Sequence, residues 1–221
     1  EQYGGPGLNY VAYGLIAREV ERVDSGYRSA LSVQSSLVMY PISAFGSEAQ
    51  KQKYLPRLAS GEIIGSFCLT EPDSGSDAAS LKTTAIKDGD TYIINGTKRY
   101  ITNAPEAGVF TVMARTDPQN KRSGGISAFI VESDTPGITL GKIDKKMGQK
   151  GAHTCDVIFD NCVVPADALI GGVEGVGFKT AMKVLDKGRL HIAAASTGAA
   201  TRMLDDALHY AVERKQFGQP I

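Results

Sequence analysis

The chain has no tryptophan, only three cysteines and no excess of either charge. Its 24 basic residues match its 24 acidic ones, which removes any electrostatic case for nucleic acid or an anionic membrane surface as partner. Cys68, Cys155 and Cys162 are odd in number and form no CxxC pair. That argues against a disulfide framework and for a reducing compartment; each reads as small apolar filler. His153 and His191 sit in no ligand-spaced motif, so no metal site is expected. The longest apolar runs, such as 192–195, are far too short to span a bilayer. No signal peptide is visible, and a chain that opens on Glu1 rather than methionine leaves room for an upstream segment.

What is present is ordinary for a globular protein: 42% hydrophobic and 22% charged residues in 221 positions. That length accommodates one large or two small domains with a substantial core. The pattern runs helix-rich, then strand-rich, then helix-rich. Val11, Leu15, Ile16 and Val20 predict a helix over 10–23, and a second is expected over 29–45 with a bend near Pro41. Ser47-Glu48-Ala49-Gln50 is a capping box for a third, which Gly61 is placed to end.

From about Ser66 the period changes. Strands are expected at 91–95, 110–114, 126–131 and 157–159, and Asp88-Gly89 and Asn95-Gly96 favour hairpin turns. Short turns without intervening helices predict an antiparallel sheet or barrel. A helical pattern returns from Gly177 to about Phe217, and Gly188 and Gly198 inside it predict close backbone packing or a nearby ligand. The 172–177 glycine run has the wrong order for a dinucleotide fingerprint, and no βαβ unit follows it. The expected organisation is therefore a helical segment at 1–65, a middle β domain at 66–171 and a helical domain beginning at 172–221.

Two motifs carry the chemistry. Leu69-Thr70-Glu71-Pro72-Asp73-Ser74-Gly75-Ser76-Asp77 joins a proline-set bend to small residues whose successive N–H groups make an anion-binding nest, with Ser74 and Ser76 as hydroxyl donors. Tyr100-Ile101-Thr102-Asn103 puts an aromatic ring and a hydroxyl on alternate strand residues, hence on one side. A phosphate cradle, a flat apolar platform and a hydroxyl together suit a bulky planar cofactor that bears phosphate.

T-E-P-x-S-G-S-D followed by Y-I-T-N resembles the acyl-CoA dehydrogenase family of flavoenzymes, in motif order and spacing, and the likeness runs over essentially the whole chain. The resemblance implies an α+β fold: a helical segment, a middle antiparallel β-barrel and the start of a C-terminal helical domain. It implies FAD as cofactor. Phe67, Leu69 and Thr70 would line the isoalloxazine, and Gly75 and Ser76 would approach the diphosphate, with Ser76 also near CoA. Tyr100 would pack on the ring where family members often have tryptophan; Ile101 belongs to the same stretch, and Thr102 would bond near N5. Arg214 and Phe217, in an R-x-x-F-G pattern, would reach the FAD of a neighbouring subunit.

Asp186 and Arg189 are one helical turn apart, a spacing that a surface ion pair explains equally well; the resemblance implies contact with CoA. It also implies an acyl-CoA substrate, an electron-transferring flavoprotein as acceptor, a homo-oligomer (tetramer or dimer) and a cytoplasmic or mitochondrial-matrix location. Some subfamilies place the catalytic glutamate immediately before the arginine matching Arg189, and here that position is Gly188. No catalytic residue is therefore expected within the 221 residues; the base is expected beyond Ile221. Glu71 reads as a structural brace of its turn.

Which acyl group is dehydrogenated stays open. The 23–36 stretch resembles glutaryl-CoA dehydrogenases, in which residues matching Arg28 and Ser29 would bind the substrate's distal carboxylate; the alternative for Arg28 is an ordinary helix-start arginine. The later 146–154 and 177–189 stretches resemble general short- and medium-chain enzymes instead. Glutaryl-CoA would be oxidatively decarboxylated to crotonyl-CoA; other acyl-CoAs would give the trans-2-enoyl-CoA. An oxygen-reoxidised flavoenzyme and a non-catalytic flavin- or CoA-binding scaffold are the other readings.

Overall fold

Asn9 opens the first helix, its side chain accepting from the Ala12 amide at 2.9 Å. The structure, a computed structural model, describes residues 1–221. Helix α1 spans Tyr10–Val23 as expected. Asp24 ends it and caps helix α2, Ser25–Ser32, by accepting from the Tyr27 amide, so the second helix begins before the expected Ser29. A π-helical stretch, Val33–Met39, joins α2 to helix α3, Tyr40–Phe45. Pro41 accounts for it: without an N–H it cannot serve the Leu37 carbonyl, and the Tyr40 amide donates five residues back to Ser35. The irregularity expected at Pro41 is thus a change of winding just ahead of it. The Ser47–Gln50 capping box starts helix α4, Glu48–Ser60, and Gly61 closes it in the left-handed conformation at φ 77°.

Seven strands follow: β1 Ile64–Cys68, β2 Thr84–Asp88, β3 Thr91–Thr102, β4 Ala107–Arg115, β5 Ile126–Glu132, β6 Ile138–Leu140 and β7 Thr154–Pro165. They pair in the order β1-β4-β2-β3-β7-β6, with β5 on the free side of β4. Most pairs in the expected barrel-like sheet are antiparallel, but β1 pairs parallel to β4, and Thr84 of β2 pairs parallel with Arg115. The long 69–83 loop and the β2–β3 hairpin intervene between β1 and β4, and so return the chain in the same direction. Asp88-Gly89 makes the expected turn between β2 and β3. Asn95-Gly96 does not; it lies inside β3 as an irregularity where pairing to β7 slips. Gly96 has φ 152°, and a Cβ there would come within 2.3 Å of Thr83 Oγ1, so only glycine lets the loop cross at this point.

β4 shows why its sequence is a continuous apolar run. Phe110, Val112 and Ala114 enter one core cluster with Tyr92, Ile94 and Phe129, while Val109 and Met113 enter a second with Val38, Ile42 and Leu58. A strand covered on both faces loses the alternation of a half-exposed one. The second cluster fastens the helices to the sheet. The 37-residue helix α5, Gly177–Glu213, then runs back across α1 before a short hairpin of β8, Lys215–Gln216, and β9, Gln219–Pro220. A Cβ on Gly198 would fall 2.1 Å from the Arg18 carbonyl oxygen, so α1 and α5 touch backbone to backbone there, as expected. Gly188 differs: a Cβ would meet nothing within 4 Å, and the close packing expected around it is absent.

Candidate functional site

The 69–77 loop leaves the end of β1 and is shaped by its own hydrogen bonds. The Glu71 and Ser74 backbones bond to each other at 3.0 and 3.2 Å around Pro72-Asp73. Ser74 is buried and donates its hydroxyl to the Asp77 carbonyl at 2.8 Å, so it is committed to the turn and is not the free donor the sequence predicted. Gly75, Ser76 and Asp77 keep backbone N–H groups that donate to nothing in the chain, while Ser76 stays exposed. Those N–H groups are the part of the loop left free to donate to an anion.

Glu71 braces the loop as expected. Its carboxylate accepts from the Lys82 amide at 2.6 Å, the Thr83 amide at 3.0 Å and Lys98 Nζ at 2.8 Å. Burial alone pushes the Glu71 carboxyl up, but Lys98 and the two amides outweigh it and hold the group below its ordinary range. Lys98 is fully buried and its Nζ also reaches the Leu69 carbonyl at 3.2 Å. Burial lowers its pKa against the pull of Glu71. Sequence reasoning missed Lys98. The signal was available: it is a charged residue in line with the inward-facing Tyr92 and Ile94 of β3.

Beside this loop lies a cleft of about 410 Å³. Phe67, Leu69, Thr70, Gly75 and Ser76 form one side, Tyr100 and Ile101 of β3 another, and Phe178, Met182, Leu185 and Arg189 of α5 the third. Three separate segments thus bring most of the sequence-predicted residues together. Tyr100 reaches the cleft by a route the alternation argument did not anticipate. It has φ 59° and sits where β3 bulges against β7, so its direction is not set by strand alternation with Thr102. Thr102 ends β3 opposite Thr154, half-buried, and is not among the cleft-lining residues.

The remaining predicted residues lie elsewhere. Asp186 pairs with Arg189 at 3.1 Å on the exposed face of α5, and only Arg189 borders the cleft. Arg28 is nearly buried and donates from Nε to Glu21 at 2.5 Å and from Nη1 to Ser32 Oγ at 3.3 Å. Ser29 is half-buried on the same helix, and neither lines the cleft. Arg214 and Phe217 are exposed at the terminal hairpin, away from the cleft.

A second polar cluster sits between α1, α2 and α5. The His191 ring stacks on Tyr13 at 4.3 Å, and its Nε2 lies 2.6 Å from Ser32 Oγ. Ser32 Oγ also lies 2.9 Å from the Arg28 carbonyl, and the buried Nδ1 of His191 has no partner. Burial, then Arg28, hold the His191 pKa below its ordinary value, against a smaller raise from Glu21. No sequence motif marks this cluster, because its members are single residues far apart in the chain. A further cavity of about 490 Å³ lies between the 5–10 segment and the helices, and it contains none of the motif residues.

The acyl-CoA dehydrogenase N-terminal domain description matches residues 1–62, the middle domain 66–162 and the C-terminal domain 175–221. An acyl-CoA dehydrogenase of Bacillus subtilis (strain 168) is 49% identical over 221 residues, covering 100% of this chain and 58% of that protein. The mitochondrial short-chain specific acyl-CoA dehydrogenase of Homo sapiens is 46% identical over 223 residues, covering 100% of this chain and 53% of its own length. Among solved structures, butyryl-CoA dehydrogenase from Megasphaera elsdenii superposes with a TM-score of 0.95 at 43% identity, over 99% of this chain and 58% of that one. A glutaryl-CoA dehydrogenase from Mycobacterium smegmatis in complex with FADH2 gives 0.93 at 42% identity, over 100% and 55%. A chain from work on the electron transferring flavoprotein of Acidaminococcus fermentans gives 0.95 at 46% identity, over 99% and 57%. The chain spans little more than half the length of the relatives it matches.

Proposed function

The chain belongs to the acyl-CoA dehydrogenase family, and from that premise we propose that it builds the cofactor cleft of an FAD-dependent enzyme that converts an acyl-CoA thioester to the trans-2-enoyl-CoA. One observation carries the reading: the free N–H groups of Gly75 and Ser76 and the exposed ring of Tyr100 border a single cleft. The first suits a diphosphate and the second a flat ring, so the residues present fit this group. When bound, FAD supplies the redox chemistry, taking the substrate's β-hydrogen as hydride.

The chain's own residues bind and orient. Phe67, Leu69 and Ile101 offer an apolar wall beside Tyr100, and the hydroxyl of Thr70 serves the ring's polar edge. Arg189, with Asp186, faces the CoA part. Arg214 and Phe217 lie on an exposed hairpin, open to a neighbouring subunit in a homo-oligomer. The sole carboxylate on the cleft, Asp77, is exposed at its rim, and Gly188 carries no side chain. The base that takes the α-proton is therefore assigned to residues outside the cleft lining described above. An electron-transferring flavoprotein is the acceptor that fits the family.

A short acyl group without a distal carboxylate fits better than glutaryl. Arg28 already spends its charge on Glu21, and a distal carboxylate would have to displace that partner. The test is an anaerobic titration of the FAD-loaded, full-length protein with butyryl-CoA and with glutaryl-CoA. Bleaching of the flavin band is expected with butyryl-CoA at the lower concentration. Preference for glutaryl-CoA, lost in Arg28→Ala, would overturn the assignment of the acyl group. No bleaching with any acyl-CoA would overturn the dehydrogenase reading.

A further inference from the structure

We propose that Arg99 is a positioning residue that holds the Tyr100 ring as the cleft wall on which a planar ligand stacks. The inference rests on the flavin reading above and adds to it the device that sets the platform. Lys98 faces Val157 and Ile101 faces Cys155, so Arg99 and Tyr100 together oppose the single residue Asp156. This is a bulge, the arrangement by which a strand re-aims a side chain. Tyr100 takes it with φ 59°, a region that non-glycine residues rarely occupy.

The backbone around the ring is well fixed, since the Arg99 amide donates to the Thr70 carbonyl at 2.8 Å. The ring itself is not: it is 62% exposed and belongs to neither core cluster. What restrains it is the Arg99 guanidinium, 4.8 Å from the ring centroid. That cation is tied in turn to Asp156, Nη1 to Oδ2 at 2.8 Å. The other oxygen of Asp156, Oδ1, is buried with no partner, so the carboxylate has no competing side-chain tie. The path of restraint runs from β7 through Asp156 and Arg99 to the ring. It covers one face of the ring with a cation and leaves the other for the ligand.

The absence of tryptophan gives a site-specific test. Tyr100→Trp makes the chain's sole tryptophan, and an indole accepts a cation better than a phenol ring does. Steady-state anisotropy and emission of Y100W are compared with Y100W/R99A, Y100W/R99K and Y100W/D156N, each checked for unchanged far-UV circular dichroism. Arg99→Ala is expected to lower the anisotropy and shift emission to the red, Asp156→Asn to do so in part, and Arg99→Lys to retain most of the restraint. FAD is expected to quench the indole, with several-fold weaker binding in Y100W/R99A. Equal anisotropy in Y100W and Y100W/R99A would overturn the role of Arg99. An indole that FAD leaves unquenched in every variant would count against the flavin reading itself, so the two failures are distinguishable.

Discussion

His191 shows how one buried side chain couples this fold to pH. Its ring is enclosed by Tyr13 and Ser32, with Arg28 and Glu21 the charges that bear on it. The folded-state pKa is depressed, so the unfolded chain takes up a proton first, near its ordinary value of about 6.5. Stability is therefore unaffected by this group above that pH and falls as pH drops from there through the folded pKa. His191→Gln is expected to lose less melting temperature than the parent between pH 7.5 and 5.5, after allowance for its lower starting value. Equal losses in a scanning calorimeter would show that the ring titrates freely. Nothing in the sequence announces this residue, whereas Glu71 was readable because its turn needs a brace. The difference is locality: Glu71 accepts from the Lys82 and Thr83 amides within a dozen residues of itself as well as from Lys98, whereas His191 bonds to Ser32 across the fold.

At the scale of elements, the 69–83 loop depends on a charge pair supplied by a neighbouring strand. Lys98 and Glu71 are both buried, and each would be left with an uncompensated charge if the other were removed. Lys98→Met or Glu71→Gln is expected to cost roughly 3–5 kcal/mol in urea unfolding. The double variant should cost clearly less than the two singles added together, because it leaves no orphan charge. Strict additivity would mean that the pair is not coupled. The helix caps at Ser47 and Gly61 were legible because capping is local. The parallel pairing of β1 with β4 was not, since it depends on where a long loop returns the chain. Gly198 and Gly188 make the same point on one helix: both look alike in sequence, and only Gly198 meets a neighbouring helix.

At the scale of the molecule, the cleft is a meeting of three segments, and its inventory of side chains decides what the chain can do alone. It offers a nest, a platform and an arginine, but no buried carboxylate. A preparation of these 221 residues is expected to perturb the FAD absorption spectrum on binding yet leave the flavin oxidised when butyryl-CoA is added without oxygen. Bleaching by a homogeneous 221-residue preparation would reveal a base that the cleft geometry does not show. Val11 and Leu15 of α1 and Leu204, Leu208 and Tyr210 of α5 are exposed apolar side chains in this chain.

The sequence by itself determined the local features: the order of helical and strand-rich parts, the caps, the Asp88-Gly89 turn and the brace at Glu71. The caps and the turn are decided by residues within a few positions of one another, and two of the Glu71 partners, the Lys82 and Thr83 amides, lie within a dozen. The motif resemblance pointed to the family, which the domain matches bear out. Only the tertiary structure decided that Lys98 is buried under the loop, that Arg28 is already paired with Glu21, and that a bulge rather than strand alternation turns Tyr100 into the cleft. Those outcomes are set by contacts between residues remote in sequence, where register and burial rather than local propensity choose each side chain's partner.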